Sequence, residues 1–224
     1  MIKRSLLSAS LVLLSLPFAK AETTIPVQAR LFIGTTNASP SNVNDTLSSQ
    51  SLQKINGVTQ AGLEITYPLL SHLDVGVRYT KRFATNEESP SNPSTDYYSK
   101  LDQDSVLLVA RVPVIKNDFF RLDGFAGFGG SNTTLTIKTA TQDGELTRKA
   151  TDGWLATPYT AAGASMAFGF KHFFLVFEGG VESNKVDGFK QSGTVPSGIS
   201  TLDLSGGYFT IGLMFDGVPG TIGK

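Results

Sequence analysis

Alternation of apolar and polar residues is the feature that most constrains this chain. In the segment 69–83, LLSHLDVGVRYTKRF, the odd positions from Leu73 to Tyr79 are apolar or aromatic, whereas the even positions include Asp74, Arg78 and Arg82. The same period recurs in eight segments, at 26–36, 57–70, 73–83, 104–115, 119–130, 158–170, 173–183 and 204–215, of which 104–115 is more uniformly apolar and less clear in phase. A period of two residues predicts β-strands with one apolar face and one polar face.

The connections between these segments alternate strictly in length. Three are very short, at 71–72, 116–118 and 171–172, and four are long and polar, at 37–56, 84–103, 131–157 and 184–201. An even number of antiparallel strands with short turns on one side and long loops on the other is typical of outer-membrane barrels. We therefore predict an all-β fold, an eight-stranded antiparallel up-and-down transmembrane β-barrel whose closure leaves no strand edge in lipid. A soluble sandwich would not predict this asymmetry of the loops.

The amino-terminal sequence predicts export. MIKR, a short apolar core and the sequence Ala19-Lys20-Ala21 form a signal peptide at 1–21 with its cleavage site. The barrel is expected at 22–215, followed by a short periplasmic tail at 216–224. Removal of the signal peptide leaves 16 basic and 19 acidic side chains, a balance that does not suggest nucleic acid binding.

The polar faces of the strands predict a charged barrel interior. An eight-stranded barrel is narrow enough for side chains to fill it, and buried charges need partners. Arginine suits this role because its planar guanidinium binds carboxylates at two points. Five arginines and five acids are expected to face inward as a lumen charge network: Arg30, Glu64, Asp74, Arg78, Arg82, Arg111, Arg121, Asp123, Glu178 and Glu182. A structural plug and a gate or ion path are both compatible with such a set.

On this topology and pattern, residues 25–215 resemble the small eight-stranded outer-membrane barrels, the family of the OmpA transmembrane domain, OmpX and OmpW. The last strand, YFTIGLMF, is similar to the carboxy-terminal assembly signal of that family, with Phe215 last and Leu213 two residues before it. Thr210 and the tail DGVPGTIGK depart from the signal. The resemblance implies a monomer in the bacterial outer membrane, surrounded by its lipids and lipopolysaccharide.

Catalysis, cofactors and metals are not predicted. The histidines are His72 and His172, both in predicted periplasmic turns, so a base near an outer-rim serine is missing. The sequence offers no catalytic, cofactor-binding or metal-ligating set. The Asp143-Gly144 dipeptide predicts a protruding hairpin in the third loop.

The predicted function is an envelope-structural and surface-interaction role, adhesin-like, through the loops at 37–56, 84–103, 131–157 and 184–201. The loops other than the hairpin at 131–157 are expected to be hydrated and mobile, and an extracellular partner would bind at the four loops. The alternative is a narrow pore or transporter for small solutes or small hydrophobic molecules. A soluble periplasmic ligand-binding barrel is a further competing class.

Overall fold

The computed structural model describes residues 27–38, 40–49, 54–55, 57–88, 97–138, 143–149, 152, 157–170 and 172–217. The predicted signal peptide at 1–21 and the tail beyond 217 lie outside the described residues. The strands are β1 (Gln28–Thr36), β2 (Val58–Leu70), β3 (Leu73–Glu88), β4 (Tyr97–Lys116), β5 (Phe120–Lys138), β6 (Asp143–Arg148), β7 (Pro158–Phe170), β8 (Phe173–Asp187), β9 (Lys190–Gly193), β10 (Thr201–Asp203) and β11 (Gly206–Asp216). One helix, α1 (Ser41–Ser49), follows β1.

Eight of these strands close into a barrel, as the alternation predicts. The order around the ring is β1, β2, β3, β4, β5, β7, β8 and β11, and β11 pairs with β1 to complete it. Every pairing is antiparallel. The short connections from β2 to β3, from β4 to β5 and from β7 to β8 share one end of the barrel, so the long connections share the other.

The apolar faces of the strands point outward. Leu31 on β1 is 54% exposed, Val77 on β3 is 46% exposed and Leu108 on β4 is 69% exposed. In contrast, Asp74, between Leu73 and Val75, is buried. A continuous outer belt of large apolar side chains around a polar interior is stable only where the belt meets lipid. The faces that point inward and outward agree with the sequence prediction in the seven barrel strands other than β4, whose phase the sequence left ambiguous, and Arg111 of β4 points inward.

The strands on the long-loop side continue beyond the predicted ends of the barrel segments. Residues 84–88 of β3 pair with 97–101 of β4, and residues 133–138 of β5 pair with β6. β9 then pairs with β6, and β10 pairs with β8. The prediction that 84–103 and 184–201 are loops throughout is therefore wrong, whereas the protruding hairpin predicted within 131–157 is present as the pairing of β5 with β6. Asp143 and Gly144, predicted at the turn of the hairpin, instead lie within β6, where Asp143 pairs with Lys138 and Gly144 pairs with Ile137.

A hydrophobic core separate from the barrel interior lies on the long-loop side of the barrel, and we call it the cap. It includes Val43 and Leu47 of α1, and Leu202 and Leu204 near β10, each completely buried. Its buried members are Ala38, Val43, Leu47, Ile55, Val58, Leu101, Leu135, Ile137, Leu146, Val186, Val195, Ile199, Leu202 and Leu204. The expectation of hydrated, mobile loops is wrong for these segments, because their apolar side chains pack together like those of a soluble protein.

Polar contacts fasten the cap segments to one another. The Asn44 side chain accepts a hydrogen bond from the Ile55 N–H at 2.7 Å and donates one to the Ile55 carbonyl at 3.1 Å. Asp152 pairs with Lys190 of β9, and the hydrogen bond from Lys190 lowers the pKa of Asp152 below its ordinary value. Arg148 also donates to the carbonyl of Gly188 at 3.1 Å. The contacts of Asp152 and Arg148 join segments that are distant in sequence.

Replacement of Val77 by arginine tests the outward phase of β3. A cation placed in lipid near the middle of the apolar belt should lower the free energy of unfolding by about 2–4 kcal/mol. Phe83→Arg is the matched control, because Phe83 lies opposite Asp102 at the polar edge of the belt, where the cost should fall to about 0–1 kcal/mol. Urea unfolding in lipid vesicles measures both. Equal costs for the two variants would contradict the assigned phase and depth.

Candidate functional site: the charged barrel interior

The ten predicted lumen residues all lie inside the barrel, and each is at most 5% exposed. They come from six strands because the inward positions of a strand recur at every second residue. β3 supplies Asp74, Arg78 and Arg82, while β5 supplies Arg121 and Asp123. The others come singly or in pairs from β1, β2, β4 and β8, as Arg30, Glu64, Arg111, Glu178 and Glu182. The strand registers then bring these side chains together.

A basal cluster, formed by Arg30, Asp74, Arg121 and Asp123, lies nearest the short turns. The Arg121 guanidinium contacts Asp74 Oδ2 and Asp123 Oδ1, both at 2.5 Å. Asp123 also accepts a hydrogen bond from Arg30 Nη2 at 2.6 Å. Arg30 Nε lies 3.8 Å from Glu64 Oε1, and this contact links the basal cluster to the next one.

A central cluster joins Glu64 and Glu178 to Arg78 and Arg111. Glu64 accepts from Arg111 Nε at 2.5 Å and from Arg78 Nε at 2.8 Å. Glu178 accepts from Arg111 Nη2 at 2.6 Å and from Arg78 Nη2 at 2.9 Å. Each arginine therefore bridges both acids, and each acid bridges both arginines. This arrangement fixes all four side chains across the barrel axis.

An outer cluster, Arg82 with Glu182, lies towards the cap. The two side chains form a salt bridge, and the Tyr159 hydroxyl lies in hydrogen-bond contact with both. Glu182 also accepts from the Thr36 hydroxyl at 2.6 Å. Arg82 Nη1 donates to Gln103 Oε1 at 3.3 Å, which ties the cluster to a group of buried amides and hydroxyls.

Aromatic rings separate the arginines. The Arg78 guanidinium lies 5.0 Å from the ring centres of both Phe32 and Phe125, and that of Arg111 lies 4.6 Å from Phe125. Arg82 lies 4.5 Å from the Tyr159 ring. Stacking of a guanidinium on an aromatic face is favourable and compact. The rings thus fill the space between neighbouring guanidinium groups, which water would otherwise occupy.

Apolar and neutral polar side chains complete the interior. Ala167, Phe174, Val176 and Met214 pack together close to the short turns, and Leu107, Val109, Phe125, Tyr159, Ala161 and Tyr208 form a second apolar group. Neutral partners of the charges were not predicted, although Ser165 and Tyr208 occupy inward positions of the same alternating pattern. The Tyr208 hydroxyl donates to Glu178 at 3.0 Å, and Ser165 accepts from Arg30 at 3.0 Å.

The chemistry available to this interior is charge neutralisation. Five guanidinium and five carboxylate groups are buried and paired with one another. Among the described residues, no group of three His, Cys, Asp or Glu side chains could hold a metal ion. The same part of the chain contains no helix with the length and hydropathy needed to cross a bilayer.

Comparisons with known proteins find similar folds only among solved structures. No family model matches the chain, and no curated protein matches it significantly in sequence. The crystal structure of the outer membrane protease OmpT from Escherichia coli has 10% identity over 87% of this chain and 98% of that one, with a TM-score of 0.49. OprG, an outer membrane protein of Pseudomonas aeruginosa, has 12% identity over 85% and 95%, with a TM-score of 0.44. Ail, the attachment invasion locus protein of Yersinia pestis, has 15% identity over 85% and 99%, with a TM-score of 0.40.

All three TM-scores are below 0.5, so the fold is assigned from the geometry of the chain itself. A closed ring of eight strands surrounds paired charges and carries an apolar outer belt. The chain is an eight-stranded outer-membrane β-barrel. In such barrels the short turns face the periplasm and the long connections face the outside. The basal cluster is therefore periplasmic, and the cap is extracellular.

Replacement of Glu64 by glutamine tests the central cluster of this outer-membrane barrel. The change leaves buried arginines without one of their two acids, and loss of one partner of a buried ion pair typically costs about 3–5 kcal/mol. Glu145→Gln is the matched control, because Glu145 is exposed on β6. Urea unfolding followed by far-UV circular dichroism should show the loss for Glu64→Gln alone. Two variants of equal stability would contradict the network.

Proposed function

We propose that this protein is an outer-membrane anchor whose closed barrel presents the extracellular cap as a surface for envelope-structural and adhesin-like interactions. The observation that carries the proposal is the combination of a lumen filled by paired charges with a folded cap above it. A lumen of this kind supports anchoring in preference to transport. A cap with its own hydrophobic core supports presentation of a defined surface.

The contents of the lumen argue for closure at several levels. The apolar group around Phe174 and Met214 lies at the periplasmic end, the central cluster crosses the axis above it, and the outer cluster lies above that. A permeating ion would have to displace charge pairs that hold each other in place, at a large desolvation cost. These layers support a structural plug.

The exposed side of the cap supports contact with partners. Its strand β9 is exposed along all four residues, and Asn42 and Asp45 project from α1. A polar surface held on a rigid core loses little conformational freedom on binding, which favours recognition. The proposal treats the protein as a non-enzyme, because His72 and His172 lie in exposed periplasmic turns, away from this surface.

A narrow pore is the second candidate function, and one observation favours it. At the periplasmic end, Gln28 Oε1, Thr66 Oγ1 and Arg121 Nη1 are buried and find no hydrogen-bond partner among the described residues. Buried polar atoms of this kind are typically satisfied by water. Water in the periplasmic half of the lumen would shorten the length of dry barrel interior that an ion must cross.

Two measurements on reconstituted protein test the proposal. In planar bilayers the barrel should give no steady conductance, with a trimeric porin in the same bilayers as the positive control. Proteoliposomes should adhere to cultured epithelial cells or collagen-coated plates more than empty liposomes of the same lipid do. Steady conductance together with adhesion no greater than that of empty liposomes would overturn the anchor in favour of the pore.

Replacement of Leu47 by alanine tests whether the cap is a folded unit. The cavity left in the cap core should cost about 2–5 kcal/mol of local stability. Trypsin cleavage at Lys54, next to the buried Ile55, should therefore accelerate at least tenfold in protein held in vesicles, since cleavage follows local opening. Ser48→Ala, an exposed position of the same helix, is the control and should not change the rate. Rapid cleavage of the wild-type protein at Lys54 would contradict a folded cap.

A further inference from the structure

A layer of uncharged polar side chains lies between the outer cluster and the cap, and we call it the amide layer. It consists of Gln103 of β4, Ser131 and Thr133 of β5, and Asn184 of β8. All four are buried, and Gln103 and Asn184 are completely so. A primary amide that lacks hydrogen-bond partners inside a protein is costly, so the stability of the layer depends on how these groups pair.

The two amides satisfy one another and the neighbouring hydroxyls. Gln103 Nε2 donates to Thr133 Oγ1 at 2.7 Å and to Asn184 Oδ1 at 2.8 Å. Asn184 Nδ2 donates to Ser131 Oγ at 2.9 Å and to the carbonyl of Pro158 at 3.3 Å. A primary amide has two N–H donors, so all four amide donors of the layer have an acceptor. A buried polar network that is fully satisfied holds its members in one arrangement.

Gln103 joins the layer to the outer cluster. Its Oε1 accepts from Arg82 Nη1 at 3.3 Å, and the two residues are cross-strand partners on β4 and β3. Arg82 in turn forms the salt bridge with Glu182 and contacts the Tyr159 hydroxyl. A shift of the Gln103 side chain therefore changes the position of the guanidinium of the outer cluster.

Asn184 joins the layer to the cap, because it lies at a fork in the sheet. β8 pairs with β11 as far as Glu182 and with β10 from Lys185 onward. At the fork, the Asn184 carbonyl accepts from the Leu204 N–H at 2.9 Å, and the Asn184 N–H donates to Ser205 Oγ at 3.0 Å. Leu204 belongs to the core of the cap. The backbone of Asn184 is thus held by a cap segment, while its side chain is held by the amide layer.

Three strands also connect the amide layer to the cap through their backbones. Inward positions recur at every second residue, and the inward position beside the amide layer on each of these strands belongs to the cap core. A movement of the cap therefore displaces the layer through the strands as well as through hydrogen bonds. The adjoining positions are Leu101 beside Gln103 on β4, Leu135 beside Thr133 on β5, and Val186 beside Asn184 on β8.

We propose that the amide layer couples the cap to the outer cluster, so that the two open and close together. Opening of the cap releases Arg82 from Glu182, and loss of the outer cluster loosens the cap, because coupling between two sites is reciprocal. An extracellular partner that holds the cap in place thereby keeps the outer end of the lumen closed. The inference rests on the closed lumen and the folded cap proposed above, and it adds the route by which one acts on the other.

Replacement of Glu182 by glutamine tests the coupling from the lumen side, in protein held in lipid vesicles. The change weakens the hold of the outer cluster on Arg82, so trypsin cleavage at Lys54, beside the cap residue Ile55, should accelerate at least tenfold. Glu64→Gln is the matched control, the same change of a buried acid in the central cluster, and it should alter the rate less than twofold. Heat-modifiable gel mobility checks that each variant is folded. Equal acceleration in both variants, or none in either, would overturn the coupling.

A double variant tests whether the amide layer is the link. Gln103→Met keeps a side chain of similar length but removes the amide. In that background the effect of Glu182→Gln on cleavage at Lys54 should fall below twofold, whatever rate Gln103→Met itself shows. An undiminished effect would overturn the role of the layer. Rapid cleavage of the wild-type protein would instead contradict the folded cap, so failure of the proposed function is distinguishable from failure of the coupling.

The opposite direction provides a second measurement, with a single cysteine at Thr80, the buried inward position before Arg82 on β3. Leu47→Ala, which loosens the cap, should accelerate labelling of this cysteine by a water-soluble methanethiosulfonate at least fivefold. Ser48→Ala is the control and should not change the labelling rate. Faster cleavage at Lys54 in Leu47→Ala without faster labelling at position 80 would show that the cap opens alone, and it would overturn the coupling.

Discussion

Mutual neutralisation of arginines and acids inside a narrow barrel is the interaction on which the rest of this structure depends. A guanidinium or carboxylate removed from water carries a desolvation cost that only a well-placed partner can offset. Here Arg78 and Arg111 each contact both Glu64 and Glu178, so no charge of the central cluster relies on a single neighbour. Because these residues come from four different strands, their pairing also fixes how the strands lie across the barrel.

The outer surface follows from the same constraint. A strand that sends Arg78 and Arg82 inward must send Val77 and Tyr79 outward, since neighbouring side chains alternate. The apolar belt and the polar lumen are therefore two consequences of one pattern. Above the belt the pattern changes, because the inward positions become apolar at Leu101, Leu135 and Val186, and these form the base of the cap. The chain thus buries charged side chains in the part that crosses the membrane and apolar side chains in the cap, outside the membrane.

The sequence was sufficient to predict the barrel and the inward set of charges, because both depend on a period of two that local pattern reveals. The cap was not predicted, since its core joins α1, β6 and β10, which lie far apart in the chain and have polar surroundings. Val43 and Leu47 do show helical spacing, and Leu202 and Leu204 alternate, so a weak signal was present. The pairing of each arginine could not be predicted, because it depends on registers and rotamers that a pattern does not define.

Accessibility along β3 tests the inside-out arrangement most directly, and the chain has no cysteine to interfere with labelling. Single cysteines at Val75, Val77 and Thr80 can be spin-labelled and their collisions with oxygen and with a water-soluble nickel complex measured in lipid vesicles. The account predicts high oxygen accessibility at Val75 and Val77, and low accessibility to both reagents at Thr80. Nickel accessibility at Thr80 would show a water-filled lumen and contradict the neutralised interior.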